Sequence, residues 1–247
     1  MMPALRSIAF TLLQLVTVVP MSLICLLVAP LPRRLRYRIT VAWPRAMIWG
    51  ARVILGIDHR IIGTENLPDG PAILLSKHQS TWETLFYPSY MPRELCFVFK
   101  RELLLLPFFG WGIWLLDMIH INRSQGRNAF EEVVAQGTRK LAEGRWIIMF
   151  PEGTRTAPGA SPRYKTGGAR LAVRTGAPIV PIAMNSGVLW PRRAFLKKPG
   201  TVTISIGPPI PAAGRTAEEV LADVQNWIEA EMRRIAPAAY ARQAAAR

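Results

Sequence analysis

The chain has 247 residues; 31 Lys and Arg against 16 Asp and Glu give a net charge of +15, yet half the residues are hydrophobic. That apolar share excludes intrinsic disorder, and uncharged runs of bilayer-spanning length occur only near the N-terminus, which argues against a polytopic membrane protein. Two cysteines, Cys25 and Cys96, are too few for a disulfide scaffold, and a chain both basic and apolar suits an anionic bilayer surface better than a nucleic acid.

The first element lies between Ile8 and Leu31, where no charge interrupts the sequence. As a helix this run is roughly 36 Å long, against about 30 Å of bilayer hydrocarbon. Pro20 predicts a kink, and Pro30 and Pro32 close the run. Arg33, Arg34, Arg36 and Arg38 follow it, while only Arg6 precedes it. The positive-inside bias then leaves everything after Pro32 in the cytoplasm. The run is long for a signal peptide, and Val28-Ala29-Pro30 is a poor cleavage site. From Arg34 to Ile57 the arginines 34, 38, 45 and 52 fall on one helical stripe among Trp43, Met47, Ile48 and Trp49. This predicts an interfacial amphipathic helix bent at Pro44, the alternative being a core helix with a solvated basic face. Residues 1–57 are thus expected to form a two-helix membrane anchor.

After Gly56 the pattern changes. Strand-like runs occur at His59–Ile62, Ala72–Leu75, Leu95–Phe99, Ile147–Phe150, Ile179–Ala183 and Val202–Ile206. Helical patterns lie between them. The clearest starts near Ser124, carries Phe130, Val133, Val134 and Leu141 on one face, and stops at Gly144. The last opens with Thr216 and Glu219 at capping-box spacing and stops before Pro237. Strands alternating with helices predict an α/β domain over residues 58–236, built on one largely parallel sheet flanked by helices. The Ala-rich residues 237–247 read as a loose tail.

Three segments carry reactive side chains. Lys77-His78-Gln79-Ser80-Thr81-Trp82-Glu83 follows an apolar strand. Within one regular helix His78 and Glu83 would point about 140° apart. They meet if His78 sits in a turn and Glu83 on the first turn of the next helix, so that the carboxylate holds one ring nitrogen and leaves the other as a base. Phe150-Pro151-Glu152-Gly153-Thr154-Arg155 also follows an apolar strand, at the kind of strand end where α/β proteins bind ligands. Gly153 permits close backbone approach, Arg155 offers a planar fork for a phosphate, and Lys165 adds a cation. The third segment runs from Lys100 through Glu102, Pro107 and Gly110 to Arg123, with Lys100 and Arg123 as candidate phosphate contacts. Its apolar middle fits a buried helix or hairpin as well as a lipid groove.

In this order the segments resemble the glycerolipid acyltransferase family, in particular its bacterial 1-acyl-glycerol-3-phosphate acyltransferases. The family's His-x4-acid motif is matched by His78 and Glu83, its Lys-x-Glu-Leu region by Lys100 and Glu102, with Pro107, Gly110 and Arg123 after them. Phe150 to Arg155 matches Phe-Pro-Glu-Gly-Thr-Arg, and Val180-Pro181-Ile182 the short hydrophobic Pro segment. The similarity spans roughly residues 71–186. It departs from the family where Asp is usual and Glu83 stands, and His120 beside Arg123 has no assigned role.

The resemblance implies an enzyme of phospholipid biosynthesis at the bacterial inner membrane, with its catalytic domain on the cytoplasmic face. His78 would be the general base toward the 2-hydroxyl of lysophosphatidate, and Glu83 would orient it. The acyl donor would be acyl-CoA or acyl-carrier protein, with backbone N–H groups holding the oxyanion. Arg155, helped by Lys100, Arg123 and Lys165, would bind the substrate phosphate, with Glu152, Gly153 and Thr154 shaping that pocket. No cofactor is implied, and His59, His78 and His120 lack zinc-site spacing. The alternatives are an enzyme of the same family acting on another lysophospholipid or a lyso-ornithine lipid, a serine hydrolase using Ser80, and a non-catalytic membrane-binding protein. No nucleophile elbow supports the hydrolase.

Overall fold

The computed structural model describes residues 2–106, 109–122 and 127–245. The uncharged N-terminal run forms α1 (Pro3–Leu27), a helix long and apolar enough by length and composition to cross a membrane. Pro20 sits inside it without ending it. The stretch expected as one bent helix is instead α2 (Arg33–Thr40) and α3 (Ala42–Gly50), followed by a π-helical turn over Ala51–Leu55. The break falls at Val41 because Pro44, lacking an N–H, cannot bond to the Thr40 carbonyl four residues back. Met47, Ile48, Ala51 and Leu55 are buried in a core that also takes Phe10 of α1, while Trp49 and Val53 stay exposed. These helices therefore have one face in the domain core and one apolar face outside it.

The domain is a seven-stranded sheet. Its strands are β1 (Ile57–Ile62), β2 (Ile73–Ser76), β3 (Leu95–Lys100), β4 (Ile119–Ile121), β5 (Trp146–Met149), β6 (Ile179–Met184) and β7 (Gly200–Ile206). They lie in the order β1-β7-β6-β2-β5-β3-β4. Every neighbouring pair is parallel except β6 with β7. The central strands β2 and β6 are buried throughout, which is why they read as continuous apolar runs rather than alternating ones. One face of the sheet packs on α1, α3 and α4 (Trp82–Tyr90). The other packs on α6 (Arg127–Ala142), α7 (Gly167–Thr175), α8 (Ala217–Ile235) and α9 (Pro237–Ala245). A short α5 (Phe109–Leu115) precedes β4 and packs against α1.

Helix α8 starts with the expected capping box: Thr216 accepts from the Glu219 N–H, and Glu219 accepts from the Thr216 N–H. Through Ala245 the tail expected to be loose is helical instead. Its Ala239 is buried, and the Tyr240 hydroxyl donates to Glu229 of α8 at 3.0 Å. Small alanines let α9 approach α8 closely, and a tyrosine gives the tail a polar anchor that its composition alone hides.

Candidate active site

Because β2, β3 and β5 are parallel neighbours, the loops leaving them emerge at the same edge of the sheet. Lys77–Thr81 leaves β2, Phe150–Arg155 leaves β5, and Lys100 ends β3. This is the edge where open α/β sheets place ligands.

His78 occupies the loop, and Glu83 the first turn of α4, as the spacing requires. Nδ1 of His78 lies 2.5 Å from Oε2 of Glu83, so the longer acid reaches the ring. Glu83 is fully buried. Its Oε1 accepts from the N–H groups of Gln79 (2.8 Å) and Ser80 (2.9 Å) and from the Ser186 hydroxyl (2.5 Å). Backbone donors at a helix start have no helical partner, so an anionic side chain there is stabilised by both hydrogen bonds and the helix dipole. One carboxylate thus serves the helix and the imidazole together.

The β5 loop grips His78 from the other side. His78 N–H donates to Oε1 of Glu152 at 3.1 Å, and the His78 carbonyl accepts from the N–H (2.8 Å) and hydroxyl (3.1 Å) of Thr156. Phe150 stacks on the imidazole, ring centroids 3.8 Å apart and planes within 14°. With Nδ1 engaged by Glu83, Nε2 is the ring nitrogen left for a substrate. Such a ring can accept a proton at Nε2 while Glu83 stabilises the resulting imidazolium.

His78 stands in the wall of a cavity of about 770 Å³. Lys100, Gly153, Thr154, Arg155 and Lys165 line the same cavity, so three of the four expected cations are brought to one place. Gly153 adopts a left-handed backbone (φ 68°), and a Cβ there would meet the Lys165 amino group at 2.7 Å. Burial lowers the affinity of the Arg155 guanidinium for its proton, opposed by the Glu83 carboxylate. Arg192 donates to the Arg155 carbonyl at 2.9 Å, holding the loop from outside. The rest of the cavity is mainly apolar and runs past Phe97, Phe99 and Met118 to Val18, Met21 and Cys25 of α1.

Arg123 lies outside the described residues, as does Pro107. Glu152 does not shape the cavity: its side chain is fully buried beneath the His78 loop, where it faces Lys77 at 3.6 Å. The resemblance implies a pocket role for Glu152, but the turn sends its side chain inward while Gly153 faces the cavity. His120 pairs through Nε2 with Glu132 of α6 at 3.2 Å and is not in the cavity wall. Ser186, Thr156, Lys77 and Glu229 were not singled out by sequence. Lys77 adjoins His78 and Thr156 adjoins Arg155, so proximity to a motif was the available signal for those two. Ser186 and Glu229 carried none.

An acyltransferase family model matches residues 58–185, the span that holds all of these loops. A 1-acyl-sn-glycerol-3-phosphate acyltransferase of Pseudomonas aeruginosa is 41% identical over 95% of this chain and 93% of its own length. The human 1-acyl-sn-glycerol-3-phosphate acyltransferase alpha is 29% identical over 71% of this chain and 63% of its own. The crystal structure of the 1-acyl-sn-glycerophosphate acyltransferase PlsC from Thermotoga maritima superposes with a TM-score of 0.77 at 25% identity. The match covers 93% of this chain and 94% of that one. A match through the whole domain, with the His78–Glu83 pair and the Glu152–Arg155 turn inside it, makes this chain a member of the acyltransferase family.

Proposed function

We propose that this enzyme transfers an acyl chain from acyl-CoA or acyl-carrier protein to the 2-hydroxyl of 1-acyl-glycerol-3-phosphate, giving phosphatidate. The observation that carries this reading is the His78–Glu83 pair set in the wall of a largely apolar cavity that Arg155, Lys100 and Lys165 also line. Such a space suits a ligand with a phosphate at one end and a hydrocarbon chain at the other.

Nε2 of His78 takes the proton of the 2-hydroxyl as the oxygen attacks the thioester carbonyl. The tetrahedral adduct collapses, the carbon–sulfur bond breaks, and the imidazolium returns the proton to the departing thiolate. An ester and a free thiol result, with no covalent acyl-enzyme. Ser80 supports direct transfer, because it is fully buried, does not line the cavity, and its hydroxyl accepts from the Trp82 N–H.

The exposed face of α1, with Leu12, Leu15, Val16 and Leu27, enters the bilayer in this reading. Three contacts hold the helix along the domain: Phe10 in the core, Trp43 Nε1 donating to Thr17 at 2.9 Å, and Lys197 N–H donating to Ser7 at 3.0 Å. They favour a helix lying in one leaflet, and the proposed reading puts that leaflet at the cytoplasmic face of the inner membrane. Its side chains in the cavity wall would let a lysolipid enter from the lipid phase.

The test is an acyl-transfer assay with purified protein, lysophosphatidate and both donors, beside His78→Ala. We expect His78→Ala to abolish transfer while vesicle binding survives. Full activity in that variant, or a stable acyl adduct on Ser80 by mass spectrometry, would overturn the mechanism.

A further inference from the structure

The residue before His78 is a lysine with no exposed surface, and the acyl-transfer reading gives it nothing to do. Its ammonium lies 2.6 Å from Oε1 of Glu229 in α8, 2.8 Å from the Ala160 carbonyl, to which it donates, and 3.6 Å from Oε1 of Glu152. That same Glu152 oxygen accepts the His78 N–H. The other, Oε2, is buried and has no partner among the described residues. Glu229 is well supplied: Tyr164 donates to it at 2.9 Å, Tyr240 at 3.0 Å, and Ser161 also donates.

We propose that Lys77 is a positioning residue for His78, acting through Glu152, and that Glu229 sets how much of the lysine's charge reaches Glu152. This rests on the general-base reading of His78. The arrangement is a shared cation between two buried carboxylates. One of them fixes the backbone of the proposed base, and the other belongs to the C-terminal helices. A buried ion cluster stabilises a fold poorly compared with apolar side chains of the same volume. Its place directly under His78 gives it a use that stability does not.

The electrostatics agree with the geometry. Burial pushes the Glu152 carboxyl up to about 7, and Lys77 and the His78 N–H oppose that rise. The Glu83 carboxylate, on α4, adds to it. Tyr87 of α4 and Tyr164 of the loop before α7 also face Glu152, and burial drives both phenols upward so that they stay neutral. Glu229 is held below its ordinary range, because the hydrogen bonds from Lys77, Ser161 and Tyr164 outweigh its burial. Glu152 is therefore the member of the cluster that titrates near neutrality. When it takes a proton, the His78 N–H loses a charged acceptor, and the loop loses its grip on the base.

Two substitutions push Glu152 in opposite directions. Lys77→Met removes its cation, so Glu152 protonates at higher pH. Glu229→Gln removes the competing carboxylate, so Lys77 serves Glu152 alone and Glu152 protonates at lower pH. The experiment measures kcat and KM for lysophosphatidate against pH, on full-length protein in detergent micelles, with thermal melts to check folding. Lys77→Met is expected to lower kcat on the order of 100-fold, with KM little changed and the acid limb of kcat moved up. Glu229→Gln is expected to move that limb down. If Lys77→Met does not fold, Glu229→Gln decides the matter through the sign of its shift. Limbs that stay at the wild-type position, or move in the same direction, overturn the proposal. His78→Ala separates the two failures: an inactive His78→Ala beside an unmoved limb sinks only the role of Lys77, whereas an active His78→Ala sinks the general base itself.

Discussion

Glu83→Gln probes the site most directly, because it keeps the shape of the side chain and removes its charge. In the native site one carboxylate meets four donors: Gln79 N–H, Ser80 N–H, the Ser186 hydroxyl and His78 Nδ1–H. A glutamine has one oxygen. If that oxygen stays with Gln79, Ser80 and Ser186, its NH2 points at His78 2.5 Å away, where two N–H groups would collide. The opposite flip sets the NH2 against the other three donors, which is worse. The ring therefore moves its proton to Nε2, the nitrogen that must be free to act as a base. An equivalent change of tautomer in the Ser-His-Asp proteases lowers kcat about 10⁴-fold, roughly 5.5 kcal/mol at 1.36 per decade. We expect a loss of that order in kcat, read as thiol release from the acyl donor, with little change in KM. Glu83→Asp preserves the charge but withdraws it by about 1.5 Å, and the loss should be nearer 100-fold. A Glu83→Gln enzyme within tenfold of wild type would refute the assignment of Glu83 as the group that orients His78.

Arg155→Ala should raise KM for lysophosphatidate about 30-fold, or ~2 kcal/mol, by removing a charge-assisted contact in the cavity; an unchanged KM would indicate an acceptor without a phosphate monoester. The Glu152 carboxyl, at about 7 in the fold against 4.5 for the free group, favours the neutral form. Its contribution to stability is thus fully present below about pH 4.5 and lost as pH rises through about 7. Glu152→Gln stays neutral throughout, so its stability relative to wild type should rise by about 3 kcal/mol between those limits. Denaturant melts at the two pH values measure this, and a difference independent of pH would refute it. Gly63 has φ 80°, and a Cβ there would lie 2.1 Å from the Ile206 carbonyl oxygen. Gly63→Ala should therefore cost about 3 kcal/mol and lower Tm by roughly 6–12 °C; an unchanged Tm would mean that the edge strand's exit is not rigid.

The middle of the sheet was legible because β2 and β6 are buried throughout and so stand out as short apolar runs. The three-residue strand β4 was missed, since Ile119–Ile121 is too short for a periodicity. His78 and Glu83 were found because the contact is local, spanning five positions. Ser186 reaches Glu83 across 103 positions, and Lys77 reaches Glu229 across 152. Nothing in either neighbourhood announces such a partner. A lysine is by default a surface residue, and Glu229 falls in an α8 pattern whose polar positions read as solvated. The pocket role of Glu152 is implied by the family resemblance alone, yet its neighbours Gly153 and Arg155 line the cavity and Glu152 does not. The loop's turn separates them, and a turn's handedness is not written in the order of its residues.

The pairing of β1 with β7 ties Ile57–Ile62 to Gly200–Ser205. A ribosome releases β1 early and must finish most of the chain before β1 has a neighbour. Until then the strand's hydrogen-bonding edge is open, and such long-range pairing forms slowly and invites misassembly. Helix α1 emerges earlier still, and if it settles on the bilayer at once, the waiting edge is held near a surface rather than free to meet other nascent chains. The sheet then closes onto an anchor already in place, and Lys197, just ahead of β7, docks on Ser7 as one of the last joins to be made.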